Sequence, residues 1–384
     1  MRRGEGSSSI ARPTADPVCR GRRLALLVLA GANLALLLTV AGSLSALADV
    51  LAPFSGHLVG VGLSAIVALI ARRRVPLILA AGGVLSLAVH VWLGLAGCCR
   101  APGPTLQSPL AIEAQASTEH LTVLALNTWH RLGDARRLER YLEAAPADVI
   151  LLSEFGPNKR PMLARLKEAY PFQVDCAEPW SCALALLSRR SLTASGVGPL
   201  GADREAGACD PMPDFVWAKV EGSLTIIGAH VHRPSRDPWL HRRQMSALAR
   251  FLRTIDGPLV LAGALNTSPW SNAFRHLRAA TGLVPTRTLM PSWPAWPLAL
   301  PQVALDLMLV SSDLTVAAAG TGPAVGSDHL PVWAQIDRRP TARERGPSPS
   351  RKLASRLAAA GPHLSGELLG DFGGEQVGAG HLRR

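Results

Sequence analysis

Six polar blocks of this chain sit at the ends of short apolar runs, and together they carry the side chains that a phosphodiester-cleaving site uses. Asn127 stands in Ala125-Leu126-Asn127-Thr128-Trp129, and Glu154 in Leu151-Leu152-Ser153-Glu154-Phe155. His230 stands in Gly228-Ala229-His230-Val231-His232-Arg233-Pro234, and Asn266 in Gly263-Ala264-Leu265-Asn266. Asp306 opens a further apolar run, and Asp328-His329 lies in Ser327-Asp328-His329-Leu330-Pro331. Any one of these alone reads more simply as a cap, a turn residue or a satisfied core polar group. Carboxylates, amides and imidazoles at the strand ends of one sheet system can instead converge on one cleft. One member is missing: Ala264 stands where such a site wants an acid between the glycine and the asparagine.

The elements that would position these residues are legible from periodicity. Leu121–Leu126, Asp148–Ser153, Cys182–Ser188, Leu224–His230, Leu259–Gly263, Leu305–Val310 and Pro331–Ile336 are short, apolar and rich in Leu, Val and Ile, as buried strands are. Between them Asp134–Ala145, Pro161–Tyr170, Pro238–Ile255 and Asn272–Ala280 have helical periodicity. Residues 121–337 therefore form an α/β domain with helices outside, long enough to bury a sizeable core.

The 384 residues carry a net charge of +12. The body, 121–337, has 21 basic and 19 acidic residues, a net of only +2, while the two flanks hold +5 each. A nucleic-acid-binding body should carry its own basic stripe. Basic flanks beside apolar segments fit anionic lipid better. Apolar stretches run from Leu24 to Ala48, Leu51 to Ala71 and Val75 to Gly97. Each is near the ~20 residues a spanning helix needs, so region 24–97 reads as three transmembrane helices. Six arginines precede the first stretch, and Arg72-Arg73-Arg74 separates the second from the third. The positive-inside rule then makes 1–23 a basic cytoplasmic N-terminus and leaves the body outside the cytoplasm. A signal peptide cut after Ala46-Leu47-Ala48 is the rival reading, and it leaves the body on the same side. Residues 98–120 read as a linker and 338–384 as a disordered basic tail. Of the body cysteines Cys176, Cys182 and Cys209, strand-borne Cys182 is the favoured partner in one disulfide, with three buried thiols as the alternative.

The order Asn…Glu…His…Asn followed by Gly-Ser-Asp-His-Leu-Pro-Val resembles the endonuclease/exonuclease/phosphatase superfamily, the deoxyribonuclease I-like proteins, over about 121–337. Membrane-anchored bacterial members are the nearest likeness. The resemblance implies a four-layer α-β-β-α sandwich, two packed sheets flanked by helices. It implies that Glu154 ligates Mg²⁺ (or Mn²⁺), with Asp328 and Asn127 completing the metal and phosphate site. His230 and His329 would stabilise the charge on the phosphoryl oxygens. Asp306 would orient His329, and Asn266 would hold the attacking water or a phosphoryl oxygen. Arg233 would meet a substrate phosphate. The family pattern Gly-Asp-Phe-Asn is here Gly263-Ala264-Leu265-Asn266, so the acid that aligns the nucleophile is absent. Leu307 is a second departure, at a position usually polar or aromatic. By alternation His232 shares a face with His230 and is a candidate substitute base, although its plain reading is a surface residue. His130 and His241 carry no assigned role. The aromatic loop Pro291–Pro297 either rims the cleft, touches lipid headgroups or packs on its own sheet.

Two functions follow. One is a membrane-anchored metal-dependent phosphodiesterase or phosphatase of reduced activity, acting on a lipid or small phosphoester in preference to nucleic acid. The other is a catalytically silent protein that binds a phosphorylated ligand. No protein partner is implied.

Overall fold

A computed structural model describes residues 17–40, 44–71, 84–85, 88, 120–132, 135–176, 182–198, 212–222, 224–287, 289–298 and 302–338. The expected linker, the tail and nearly all of the third apolar stretch lie outside these.

The chain opens with α1 (Pro17–Val40), α2 (Ala46–Asp49), a 3-10 turn at Ala52–Phe54 and α3 (Ser55–Ala71). Helices α1 and α3 pack through Leu29, Leu36, Ala65, Ile66 and Leu69. Their other faces expose Leu24, Leu27, Leu34, Leu37, Leu63, Val67 and Ile70. The expectation of three spanning helices is not met among the described residues. One run, Ala46–Ile70, is long and apolar enough to cross a membrane, and Arg23–Thr39 is a shorter apolar helix. At 1.5 Å per residue those 17 residues reach about 26 Å, short of a ~30 Å hydrocarbon core.

The body follows as β1 (Leu121–Asn127), α4 (Ala135–Ala144), β2 (Val149–Ser153), α5 (Pro161–Arg165), β3 (Phe172–Asp175), β4 (Ala185–Ser188), β5 (Leu192–Gly198) and β6 (Asp214–Val220). It continues as β7 (Leu224–His230), α6 (Pro238–Leu252), β8 (Leu259–Ala264), α7 (Asn272–Thr281), β9 (Val284–Pro285), β10 (Asp306–Val310), β11 (Leu314–Thr321) and β12 (Val332–Arg338). The strands form two six-stranded sheets, ordered β11-β12-β1-β2-β4-β3 and β5-β6-β7-β8-β10-β9. Each sheet is built around one parallel pair, β1 with β2 and β7 with β8, and its other pairings are antiparallel.

Alternation explains the layers. Val123, Ala125, Val149 and Leu151 of the first sheet meet Val216, Ile226, Val260 and Met308 of the second in a core between the sheets. The opposite faces of the first sheet, Leu124, Leu126, Ile150 and Leu152, are covered by Leu138 and Leu142 of α4. Those of the second, Ile227, Leu261 and Leu309, are covered by Leu248 of α6 and Phe274 of α7. The four-layer sandwich expected from the sequence is what the body forms. Leu307 lies in the helix-covered layer. That departure from the family pattern therefore bears on packing and not on the cleft. Local chemistry fixes the helix starts: Asp237 caps α6 by accepting from the N–H groups of Trp239 and Leu240, ahead of Pro238 at the first helical position. Cys176 and Cys182 are disulfide-bonded, with Cα atoms 5.5 Å apart, and Cys209 lies outside the described residues.

Candidate active site

The two parallel strand pairs end side by side, and their carboxyl ends carry the polar residues. Asn127 ends β1, Glu154 follows β2, His230 ends β7 and Asn266 follows β8. The antiparallel neighbours return Asp306 at the start of β10 and His329 just before β12. Three of the residues at these strand ends have left-handed backbones, Trp129 (φ 53°), Glu154 (φ 53°) and Asn266 (φ 50°). For a residue with a β-carbon such a conformation costs ~1–3 kcal/mol, and it persists only where the surroundings enforce it. Asn266 is enforced by its N–H donating to the Leu305 carbonyl (3.2 Å) and its side-chain amide donating to the Val231 carbonyl (2.8 Å).

Glu154 is the hub of one half of the site. Its Oε1 accepts from Asn127 Nδ2 (3.0 Å) and Arg233 Nη2 (2.7 Å). Its Oε2 accepts from the His130 N–H (2.9 Å) and lies 2.8 Å from His130 Nδ1. His230 Nε2 stands 3.9 Å away. Burial would raise the pKa of this carboxyl, but the donors from Asn127 and His130 and the nearby His230 outweigh it, so the group is held far below the usual carboxylate range. Beneath it lies Lys159, 1% exposed, whose Nζ donates to the carbonyls of Trp129 and Glu154, each at 2.8 Å. Burial brings its pKa down to about 8 against the pull of Glu154 and Asp328.

The other half centres on Asp306, 1% exposed. Its Oδ2 accepts from Ser292 Oγ (2.6 Å) and pairs with His329 Nδ1 (2.6 Å), while Oδ1 is buried with no partner. Burial would lower the His329 pKa, and the Asp306 carboxylate reverses this and holds it above the ordinary value. Ser327 ties the halves together: its Oγ donates to the Asn127 carbonyl (2.7 Å) and accepts from the His329 N–H (3.1 Å). Burial raises the pKa of Asp328, aided by Glu154 and opposed by His329, and its Oδ1 also lacks a partner. The pKa of His230 is lowered by burial in the first place, against the Glu154 charge.

Gly263 has φ 131°, and a β-carbon there would collide with the Ala229 carbonyl oxygen. Only glycine suits this position. Ala264 pairs in register with both His230 and Asp306 and is fully buried. The position of the absent acid is therefore between the two halves of the site, filled by a methyl group.

The structure thus brings together Asn127, Glu154, His230, Arg233, Asn266, Asp306, Asp328 and His329. Arg233, expected to meet a substrate phosphate, donates to Glu154 Oε1 (2.7 Å). His130, to which the sequence assigned no role, is a donor to Glu154 twice over. Lys159 and Ser292 were not foreseen. His232 lines the same depression as Glu154, His230 and Arg233, its N–H held by Gln244 Oε1 (2.8 Å). His241 is buried against the Leu265 carbonyl. The aromatic loop rims the cleft through Ser292 and Trp293.

Among the described residues no group of three Asp, Glu, His or Cys side chains forms a metal site. The oxygen donors a hard divalent cation would use are those of Glu154, which is ionised, and Asp328, whose buried Oδ1 has no partner among the described residues. The oxygens of Glu154 are filled by Asn127, His130 and Arg233. The side chains of His130 and Arg233 are 53% and 40% exposed, so both can swing away.

Comparison with known proteins agrees with this geometry. The model of the Endonuclease/Exonuclease/phosphatase family matches residues 124–329. The chain belongs to the endonuclease/exonuclease/phosphatase family. Members of this family are phosphoester hydrolases. No curated protein is significantly similar to the chain. Among solved structures, an endonuclease/exonuclease/phosphatase from Beutenbergia cavernae is 20% identical over 58% of this chain and 73% of its own, with a TM-score of 0.47. Sphingomyelinase C from Streptomyces griseocarneus is 20% identical over 57% and 99%, with a TM-score of 0.40. TDP2 from D. rerio complexed with a single-strand DNA product is 15% identical over 57% and 99%, with a TM-score of 0.45.

Proposed function

We propose that this chain is a membrane-anchored, divalent-metal-dependent phosphoester hydrolase whose catalytic body lies outside the cytoplasm and whose turnover is slowed by Ala264. The observation that carries the reading is the convergence of an ionised, multiply held Glu154 and a buried, hydrogen-bonded Asp306–His329 pair on one end of the sandwich. Glu154 and Asp328 would hold Mg²⁺ or Mn²⁺, which when bound acts as a Lewis acid on the phosphoryl oxygen. His329, charged through Asp306, donates to the oxygen on which negative charge develops. His230, whose pKa burial lowers, would hydrogen-bond a second phosphoryl oxygen. Asn266 and Arg233 position the phosphoryl group.

Support for the location comes from three features. The Asp49–His57 turn and the body fall on the same side by the arginine distribution, and the two touch. The apolar outer faces of α1 and α3 suit lipid. The Cys176–Cys182 bond suits an oxidising compartment. The near-neutral body favours a lipid or small phosphoester over nucleic acid. A silent phosphate-binding protein is the second reading, favoured by the methyl group of Ala264 in the acid position.

The test is cleavage of an aryl phosphodiester by the full chain in detergent, with Mg²⁺ titrated, beside Glu154→Ala. Loss of the Mg²⁺-dependent rate in the variant is expected. A rate indifferent to that change would contradict the proposal.

A further inference from the structure

The short segment between the two apolar helices does more than connect them. Asp49 is 9% exposed, although it emerges between two membrane-type runs. Its carboxylate accepts from Ser271 Oγ (2.6 Å), the Asn272 N–H (2.7 Å) and the Ala273 N–H (3.0 Å). These are donors at the start of α7, and Ser271, at the capping position of that helix, makes no capping bond of its own. A residue more than 200 positions away thus supplies the cap and the negative charge that a helix N-terminus favours. His57 Nε2 makes a second tie, 2.7 Å from Gln302 Oε1.

Between these ties lies a cavity of about 170 Å³. Val50, Pro53 and Phe54 of the helix turn form one wall. Trp293, Val303 and Leu305 of the aromatic loop and its return form the other. Its polar end is Arg233, Asn266 and His329, the phosphoryl-facing side of the site. The pocket is thus apolar on two sides and ends on phosphate-binding groups.

We propose that the turn at Ala46–His57 is a wall of the substrate pocket, latched by Asp49, and that the substrate is an amphiphilic phosphoester. The phosphate sits at Arg233, Asn266 and His329, and the first carbons of the apolar part lie against Val50, Pro53 and Phe54. This rests on the hydrolase reading of the same site. A nucleobase would need polar partners that the six side chains of these two walls do not offer, and a polynucleotide would need a basic track that the near-neutral body lacks. The pocket also opens beside helices whose outer faces are apolar, where an amphiphile is concentrated.

The test is binding of inorganic phosphate, methyl phosphate, butyl phosphate and hexyl phosphate to the full chain in nanodiscs, by calorimetry. The cavity of about 170 Å³ also has to hold the phosphate, so affinity should climb over the first few carbons and then level off. Ideal burial gives about fourfold per methylene. Phe54→Ala, at a half-exposed position, should lower the ratio of hexyl phosphate to phosphate affinity. Asp49→Ala should lower it further. Phosphate binding with no gain from chain length would overturn the pocket while leaving the hydrolase reading in place. Tighter binding of a phosphorylated dinucleotide than of hexyl phosphate would overturn it in favour of nucleic acid. No binding of any phosphate would sink both readings.

Discussion

Asp306→Asn separates charge from shape at the centre of the site. Both hydrogen bonds of Asp306 go to the same atom: Oδ2 accepts from Ser292 Oγ and from His329 Nδ1, and Oδ1 has no partner. An asparagine can place its oxygen where Oδ2 is and keep both bonds. Its NH₂ then occupies the empty side, buried and unpaired. Two costs follow. A hydrogen bond to a charged partner, worth about 1.5–3 kcal/mol, becomes a neutral one worth about 1. The unpaired amide costs a further ~1–3 kcal/mol. The total is about 1.5–5 kcal/mol at mildly acidic pH. The pH dependence has a definite sign. The His329 pKa is raised in the folded state above its ordinary 6.5. That stabilisation is fully present below pH 6.5 and is lost as pH rises through the folded value. The gap between native chain and variant should therefore be widest below pH 6.5 and shrink as pH rises through the folded value, toward the amide cost alone. Thermal unfolding of both full chains in detergent across this range measures it. A gap that is constant with pH, or that widens as pH rises, would refute the assignment of a charged His329 held by Asp306.

Two further outcomes follow from the other half of the site. Asn127 orients Glu154 through Nδ2, so Asn127→Ala should weaken Mg²⁺ binding about 10–100-fold while the chain stays folded, read by calorimetric titration of the metal. Lys159 has its pKa lowered to about 8 from an ordinary 10.5. The folded state then binds fewer protons than the unfolded state between those values, and its relative stability rises with pH across them. The melting temperature of the native chain relative to Lys159→Met should climb from pH 8 to pH 10, and a fall over that window would contradict the burial of the ammonium.

The sequence exposed the site residues better than the full sheet. Strands with dense Leu, Ile and Val, such as β2 and β8, stood out, and the polar residues at their ends fixed the direction of the cleft. Edge strands β5 (Leu-Thr-Ala-Ser-Gly-Val-Gly) and β11 (Leu-Thr-Val-Ala-Ala-Ala-Gly-Thr) did not stand out, because Ala, Gly and Ser carry little strand signal. Lys159 sits in Gly-Pro-Asn-Lys-Arg, which reads as a solvated turn. Its burial follows only from the left-handed backbones at Trp129 and Glu154, whose carbonyls it reaches. The role of His130 is hidden for a related reason: its ring reaches Glu154 through the left-handed backbone of Trp129. Asp49 could not be linked to Ser271 from spacing, since the contact depends on how the helical turn rests on the body.

The central claim is a hydrolytic site complete except for the acid at position 264, and it is tested by comparing the native chain with Ala264→Asp. The assay is Mg²⁺-dependent cleavage of an aryl phosphodiester by the full chain in detergent. A carboxylate at position 264 would stand between His230 and Asp306, where the strand register puts it, and positioned general-base catalysis contributes about 10²–10⁴-fold. The account predicts a slow native rate and a gain of at least about 10²-fold in Ala264→Asp. A native rate equal to or above that of a folded, Mg²⁺-binding Ala264→Asp would contradict it, and would show that another group, His230 or His232, already serves as the base.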